Sequence, residues 1–330
     1  MNKAILLAVA VLSVASQAAE KKRIIVCTVT TGFRHSSIPF AERTLEKLAK
    51  ETGAFEIVDF ARQPEGKAPQ RPKKPKDLAP NASDKDKARH EGDMKKFQAE
   101  LAKWTPELVA QEKAAKEAFE TAVKASLAKL SPENLTAKKI DGVIFANTTG
   151  DLPLPDKEGF IKWIEDGHAF MGMHSASDTF HPFPAYGGML QGEFKTHGKQ
   201  VPADLVAGDT AHPANAGIGP KWDIAQEEMY EMKDGSHDRA KVRALWFLRH
   251  PPQEPTKEQY AAVSWCRVAG KGRVFYTSLG HREDLWSDEE MPGRINSPET
   301  SRQYQKHILG GIQWALGLAS GESTPNPEVK

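Results

Sequence analysis

Cysteine is nearly absent. The chain has two, Cys27 and Cys266, in 330 residues. Both sit in apolar, strand-like runs far apart in sequence, which favours core packing over a disulfide or a paired metal site. Neither sign of charge dominates: 45 basic and 44 acidic side chains leave a formal net charge of +1. Net charge therefore supplies no argument for a nucleic-acid or membrane-surface partner. No compact metal motif of the H-E-x-x-H kind is present, and there is no internal repeat. A membrane-length apolar run is missing as well. The run from Ala4 to about Ala15 is too short to span a bilayer. It lies between Lys3 and the small-x-small triplet Ser16-Gln17-Ala18, which is the layout of a secretory signal. Glu20-Lys21-Lys22-Arg23 cuts it off at once, arguing against a buried N-terminal helix. No cysteine follows it for lipid attachment. The expectation is a signal peptide over residues 1–18, a mature chain from near Ala19, export to the periplasm or beyond, and no integral membrane segment after processing.

What is present is a repeated strand–helix alternation. Ile24-Ile25-Val26-Cys27-Thr28-Val29 is a β-branched apolar run and reads as a first core strand. Ser37 is placed to cap the next helix, Pro39 falls in its first turn, and Gly53 is placed to end it. Phe55 to Phe60 is a second strand, so the opening is a βαβ unit with a parallel sheet. Residues 61–139 interrupt the pattern. Arg62 to Asp93 is rich in Pro, Lys and Asp and reads as exposed loop. Met94 to Leu130 reads as helix, broken at Pro106 with Thr105 as a new cap. The stripe Leu101, Trp104, Leu108, Phe119, Val123 and Leu127 is thin, which suits a surface helical hairpin. The alternation resumes with Asp141 to Asn147, a helix from Asp156 to Asp166, and the strand Ala169-Phe170-Met171. Tyr186 to Gly198 reads as irregular and glycine-rich. Val242–Leu248, Ala261–Val268 and Gly272–Thr277 read as strands, the last two joined as a hairpin. A closing helix starts near Ser301, and the polar tail from Ser320 reads as frayed. The fold class is α/β: a three-layer sandwich over residues 19–320, mostly parallel, antiparallel at one side, with a helical insertion.

The stretch that organises this pattern is Gly172-Met173-His174-Ser175-Ala176. A strand running into a tight elbow at the top of a parallel sheet presents one side chain to the cleft, here His174. The ends of other predicted strands supply Arg34 and His35, Asn147 and Thr148, and His281. Asp178 follows the elbow, and His197, His212, Glu227, Glu228 and Tyr230 lie on the intervening connections. A catalytic zinc uses three protein ligands and an open position. The preferred set is His35, His174 and His281, with His197 and Glu228 competing for a place. Metal-free acid–base chemistry is the other option, with Asp178, Asp209, Glu228 or Asp284 assisting a histidine. Ser175 as nucleophile is disfavoured because adjacent side chains at a sharp turn diverge. Trp222, Trp246, Trp265, Trp286 and Trp314 offer sugar-stacking surface in principle, but core filling is the stronger reading.

Several ordered blocks are shared with one family. They are Thr31-Gly32-Phe33-Arg34-His35, Asn147-Thr148-Thr149-Gly150, Gly172 to Asp178, Gly192-Glu193-Phe194 with His197, His212-Pro213, Glu227-Glu228-Met229-Tyr230 and Gly272 to His281. Together they resemble the ThuA-like (trehalose utilisation) family. The resemblance implies a class I glutamine amidotransferase-like, flavodoxin-like fold. It also implies loss of glutamine hydrolysis, because His174 stands where those enzymes hold a cysteine nucleophile. The sequence departs from the family pattern in its long basic insertion and in Gly198 after His197. The functional expectation is an exported protein of disaccharide utilisation, acting on a small sugar or glycoside with help from a divalent metal, zinc first. In that reading His174, Glu228 and Asp178 are catalytic, and Arg34, Asn147, Thr148, Ser175 and Tyr230 contact substrate. No nucleotide cofactor is indicated. The rival is a non-catalytic carbohydrate-binding or scaffold protein; a partner-binding role for the insertion is a third. Homo-oligomer formation stays open.

Overall fold

A nine-stranded sheet carries the molecule, and its order explains where the site must lie. The structure is a computed structural model and describes residues 20–65, 69–252, 256 and 260–329. The expected signal peptide over residues 1–18 lies outside the described residues. The strands are β1 (Lys22–Cys27), β2 (Phe55–Ala61), β3 (Gly142–Ala146), β4 (Ala169–Met173), β6 (Val201–Ala207), β7 (Lys221–Glu227), β9 (Arg243–Leu248), β10 (Ala261–Ala269) and β11 (Gly272–Thr277). Their spatial order is β2-β1-β3-β4-β11-β10-β9-β6-β7. The five strands from β2 to β11 run parallel. The other four form an antiparallel wing. A separate ribbon pairs β5 (Phe194–His197) with β8 (Tyr230–Met232). The expected mixed sheet is present, and β6 and β7 form a short pair at its edge where a connection is expected, with Trp222 and Ile224 alternating along β7.

Helices cover both faces. α1 (Ile38–Thr52) and α8 (Pro298–Ala315) pack one face through Ala41, Leu45, Leu48, Tyr304, Ile308 and Ile312. α5 (Lys157–Glu165), α6 (Pro184–Leu190) and the end of α3 (Pro106–Leu127) cover the other through Phe160, Ile164, Tyr186, Val123 and Leu127. Each such buried leucine or phenylalanine contributes on the order of 2 kcal/mol over leaving it exposed. All five tryptophans weighed above for stacking are fully buried in these cores. The strands β3 and β4 are buried along their whole length, as expected where both faces are covered.

Four further readings need correction. Ser37 precedes α1, yet its hydroxyl makes no cap; it donates to the Gly280 carbonyl, 3.1 Å away, tying two loops together. The insertion's first helix, α2 (Asp84–Ala102), starts ten residues before the expected Met94. Ser83 accepts from the Asp86 amide, and Asp84–Lys87 and Glu91–Lys95 pairs line the helix, so the charges read as loop are helix-surface pairs. The segment expected to be irregular forms α6 and β5. The tail is docked, not frayed. Buried Asn326 accepts from the Ala244 amide at 2.7 Å and donates to the Gly208 and Ala244 carbonyls.

Candidate functional site: a histidine–carboxylate cluster

Parallel strands deliver their carboxyl ends to one edge of the sheet, and two of them end in left-handed residues. Asn147 after β3 has φ 56° and His174 after β4 has φ 51°. A non-glycine residue there costs on the order of 1 kcal/mol or more and persists only where surroundings fix it. The surroundings are visible. Asn147 Nδ2 donates to Ser37 Oγ (2.8 Å) and to the Gly280 carbonyl (3.0 Å). This knits the loops after β1, β3 and β11 together. His174 begins a short 3-10 turn, His174–Asp178, so the elbow is real. Its side chain is closed off from solvent. His174 is fully buried because the β1 and β11 loops and Tyr230 close over it.

Four groups converge beneath those loops. His35, His174, Glu228 and His281 each offer a donor atom, and all these atoms lie within 4.8 Å of one another. His35 Nε2 is 3.1 Å from His174 Nε2. Glu228 Oε2 is 3.7 Å from His174 Nε2 and 3.2 Å from His281 Nδ1. The Tyr230 hydroxyl is 2.9 Å from His174 Nε2, and Ser175 Oγ is 3.3 Å from His35 Nδ1. His35, His174 and His281 come from the parallel half of the sheet. Glu228 and Tyr230 come from the chain leaving β7.

The protonation pattern follows from the partners. His174 Nδ1 lies 2.9 Å from the Ser278 carbonyl oxygen. A carbonyl only accepts, so Nδ1 carries the proton and Nε2 presents a lone pair to the cluster. This is the outer-shell arrangement that fixes a metal-binding imidazole. Burial, then the neighbouring His35 and His281, hold the His174 pKa well below the ordinary value. Burial, followed by His281, takes His35 down to about 4. Burial also opposes charge on His281, but the adjacent Glu228 carboxylate outweighs it and its pKa rises.

The donor set could hold a metal ion. Zinc–nitrogen bonds of about 2.0–2.1 Å imply donor separations of about 3.3–3.4 Å in a tetrahedron. The observed 3.1, 3.2 and 3.7 Å bracket that value. His281 Nδ1 faces the same centre, 3.2 Å from Glu228 Oε2.

The other predicted residues are placed differently. His197 stands at the outer rim on β5, with Nδ1 2.9 Å from Glu228 Oε1; it belongs to the carboxylate's far side rather than to the four-donor set. Asp178 faces away from the cluster and pairs with His181 at 2.7 Å, and His181 also bonds Glu193 at 2.8 Å. Arg34 donates back to the Thr28 carbonyl at 3.1 Å. Thr148 is fully buried, bonded to Thr179. Asp209 pairs with Arg243 and Asp284 with Arg282, so neither assists a cluster histidine. His212 accepts from the Ala214 amide in a turn.

One residue had no role assigned from sequence. The Glu227 carboxylate is fully buried and accepts from the amides of His281 (2.7 Å) and Arg282 (3.3 Å). It thereby positions the loop that carries His281. Burial raises its pKa to about 7. The available signal was the alternation of Trp222 and Ile224 running into two consecutive acids, which marks a strand end with one acid on each side.

Residues 87–315 match the family described as trehalose utilisation, ThuA. A solved ThuA-like protein from Parabacteroides merdae ATCC 43184 superposes with a TM-score of 0.56 at 14% identity, covering 93% of this chain and 98% of that one. A second ThuA-like protein, from Bacteroides uniformis ATCC 8492, gives a TM-score of 0.52 at 14% identity, covering 89% and 91%. At these identities the likeness establishes the fold. No curated protein matches the chain in sequence.

Proposed function

The chain belongs to the ThuA (trehalose utilisation) family, and on that premise we propose that it is a carbohydrate-processing protein whose His35, His174, His281 and Glu228 hold a divalent transition metal. The observation that carries this reading is the convergence of three imidazoles and a carboxylate, with His35, His174 and Glu228 buried and His281 half-buried, and with His174 Nε2 kept unprotonated by the Ser278 carbonyl. A bound ion would polarise a sugar oxygen as a Lewis acid. The protein's own groups supply the rest. Tyr230 places its hydroxyl beside the cluster, 2.9 Å from His174 Nε2. Glu228 turns Oε2 to the cluster and Oε1 to His197, so it is the group placed to hold a proton at the rim. Glu227 keeps the His281 backbone in place. Asp178 is left with an outer role through His181. The N-terminal signal layout extends the proposal to action outside the cytoplasm, which fractionation of cells expressing the full chain would check.

The test is elemental analysis of the purified protein, wild type beside His174→Ala, each with and without reloading by zinc, manganese or iron. Stoichiometric metal in the wild type that is lost in the variant supports the reading, and incubation with trehalose and related glycosides then tests turnover. Absence of metal in the reloaded wild type overturns it. A second reading, sugar binding without turnover, draws on the closure of the site: His174 has no solvent contact. It predicts saturable binding with unchanged sugar.

A further inference from the structure

Phe33 is the one large aromatic side chain among the described residues left mostly in solvent, 67% exposed. A single exposed apolar residue is ordinary in itself. Its setting is not. The Phe33 ring stands 4.8 Å from the His35 ring, edge to face at 76°, so it forms part of the wall beside the cluster. Its backbone is also held from two sides. The Thr31 amide donates to the Thr149 carbonyl at 2.9 Å, and Thr149 Oγ1 donates to the Phe33 carbonyl at 2.8 Å. The contact between the two loops is too close for side chains. A Cβ on Gly150, at φ +82°, would lie 2.4 Å from Thr31 Oγ1, and one on Gly32 would lie 3.0 Å from Thr149 Oγ1. The ring is therefore exposed on a fixed backbone, not on a loose one. Polar groups are close in the same loops: Ser36, three residues on, donates to Glu283, and the His281 ring lies 5.3 Å from that of His35.

We propose that Phe33 is the stacking platform for a pyranose ring whose reacting atoms face the His35–His174–His281–Glu228 cluster. The inference rests on the carbohydrate reading above. An aromatic face carries partial negative charge. A pyranose with equatorial hydroxyls presents axial C–H groups, polarised positive, on each face of the ring, and directs its hydroxyls outward to a polar rim. A cationic ligand fits less well, because a cation site of this kind is built from several rings and Phe33 stands alone beside three imidazoles. The buried tryptophans offer no competing surface.

The experiment is calorimetric or saturation-transfer NMR titration of the zinc-loaded full chain with trehalose, sucrose and methyl α-glucopyranoside. It compares wild type, Phe33→Ala, Phe33→Leu and Phe33→Trp. Metal content and Tm are measured alongside and stay at wild-type values, since the ring is exposed. The expected result is about tenfold weaker binding for Phe33→Ala and Phe33→Leu, the upper range for one aromatic contact, with Phe33→Trp within about threefold of wild type. Equal binding by wild type and Phe33→Ala overturns the platform while leaving the carbohydrate reading intact. Equal binding by Phe33→Leu and wild type overturns it too, because general apolarity would then suffice. Failure of the wild type to bind any of these sugars overturns the carbohydrate reading and the platform with it.

Discussion

Acid would place a charge on His307 inside the core. It lies on α8, fully buried, with Nδ1 donating to the Ala214 carbonyl at 2.8 Å and Nε2 without a partner. Trp222 and Phe275 flank the ring at 5.7 and 5.3 Å. Burial lowers its pKa from 6.5 to about 3. A histidine depressed in the folded state binds fewer protons than in the unfolded chain. Its contribution is therefore complete above the unfolded value of 6.5 and is lost as pH falls from there toward 3. Between about pH 7 and about pH 5 the loss is roughly 2 kcal/mol, the linkage integral over that window. Glu227 runs the other way: with its pKa raised to about 7, it favours the folded state as pH falls. The wild-type curve alone is thus ambiguous, and the difference between two proteins is the proper readout. His307→Asn keeps a donor for the Ala214 carbonyl and does not titrate. Urea unfolding of both proteins at several pH values should find the variant less stable near pH 7, from the cavity, but with a pH dependence shallower by about 2 kcal/mol across the window. Parallel curves would refute the assignment of this acid sensitivity to His307.

Other outcomes follow from the same contacts. Asn326→Ala removes one acceptor and two donations at the Gly208 and Ala244 backbone and should cost about 2–3 kcal/mol in chemical denaturation. Leu127→Ala, at a fully buried site, should cost about 3 kcal/mol, whereas alanine substitutions along α2, which buries no residue, should leave Tm nearly unchanged. Burial opposes charge on His181, but its bonds to Asp178 and Glu193 outweigh that and raise its pKa. Asp178→Asn should shift the His181 NMR titration downward, and stability from this pair should fade as pH rises through the His181 pKa.

The parallel half of the sheet was legible because its strands are short apolar runs separated by helices with clear start or stop residues, as around Ile24–Cys27 and Asp156–Gly167. The wing was not. β6 and β7 carry polar residues at alternate positions and expose one face, so their signal competes with that of a turn-rich connection. The cluster was legible in part for a topological reason: His35, His174 and His281 each follow a parallel strand, and such strand ends share one edge. Side-chain direction was not legible. Arg34 and Asp178 lie within a few residues of the cluster in sequence and point elsewhere, Arg34 to its own loop carbonyl and Asp178 to His181. Glu227 and Glu228 show the same limit, since alternation along an extended chain sends neighbours to opposite sides and only the fold says which side is the site.

Because Glu228 reaches the imidazoles from beyond β7, the donor set exists only while the wing is paired to the rest of the sheet. Binding of an ion at the cluster would then be linked to docking of the wing. A substitution deep in the wing, such as at Trp222 or Trp246, where the rings meet at 5.4 Å, would loosen an ion held at the cluster without touching any ligand. An ion would equally brace the outermost strands against fraying. In such an arrangement affinity measured at the centre becomes a gauge of integrity at the margin.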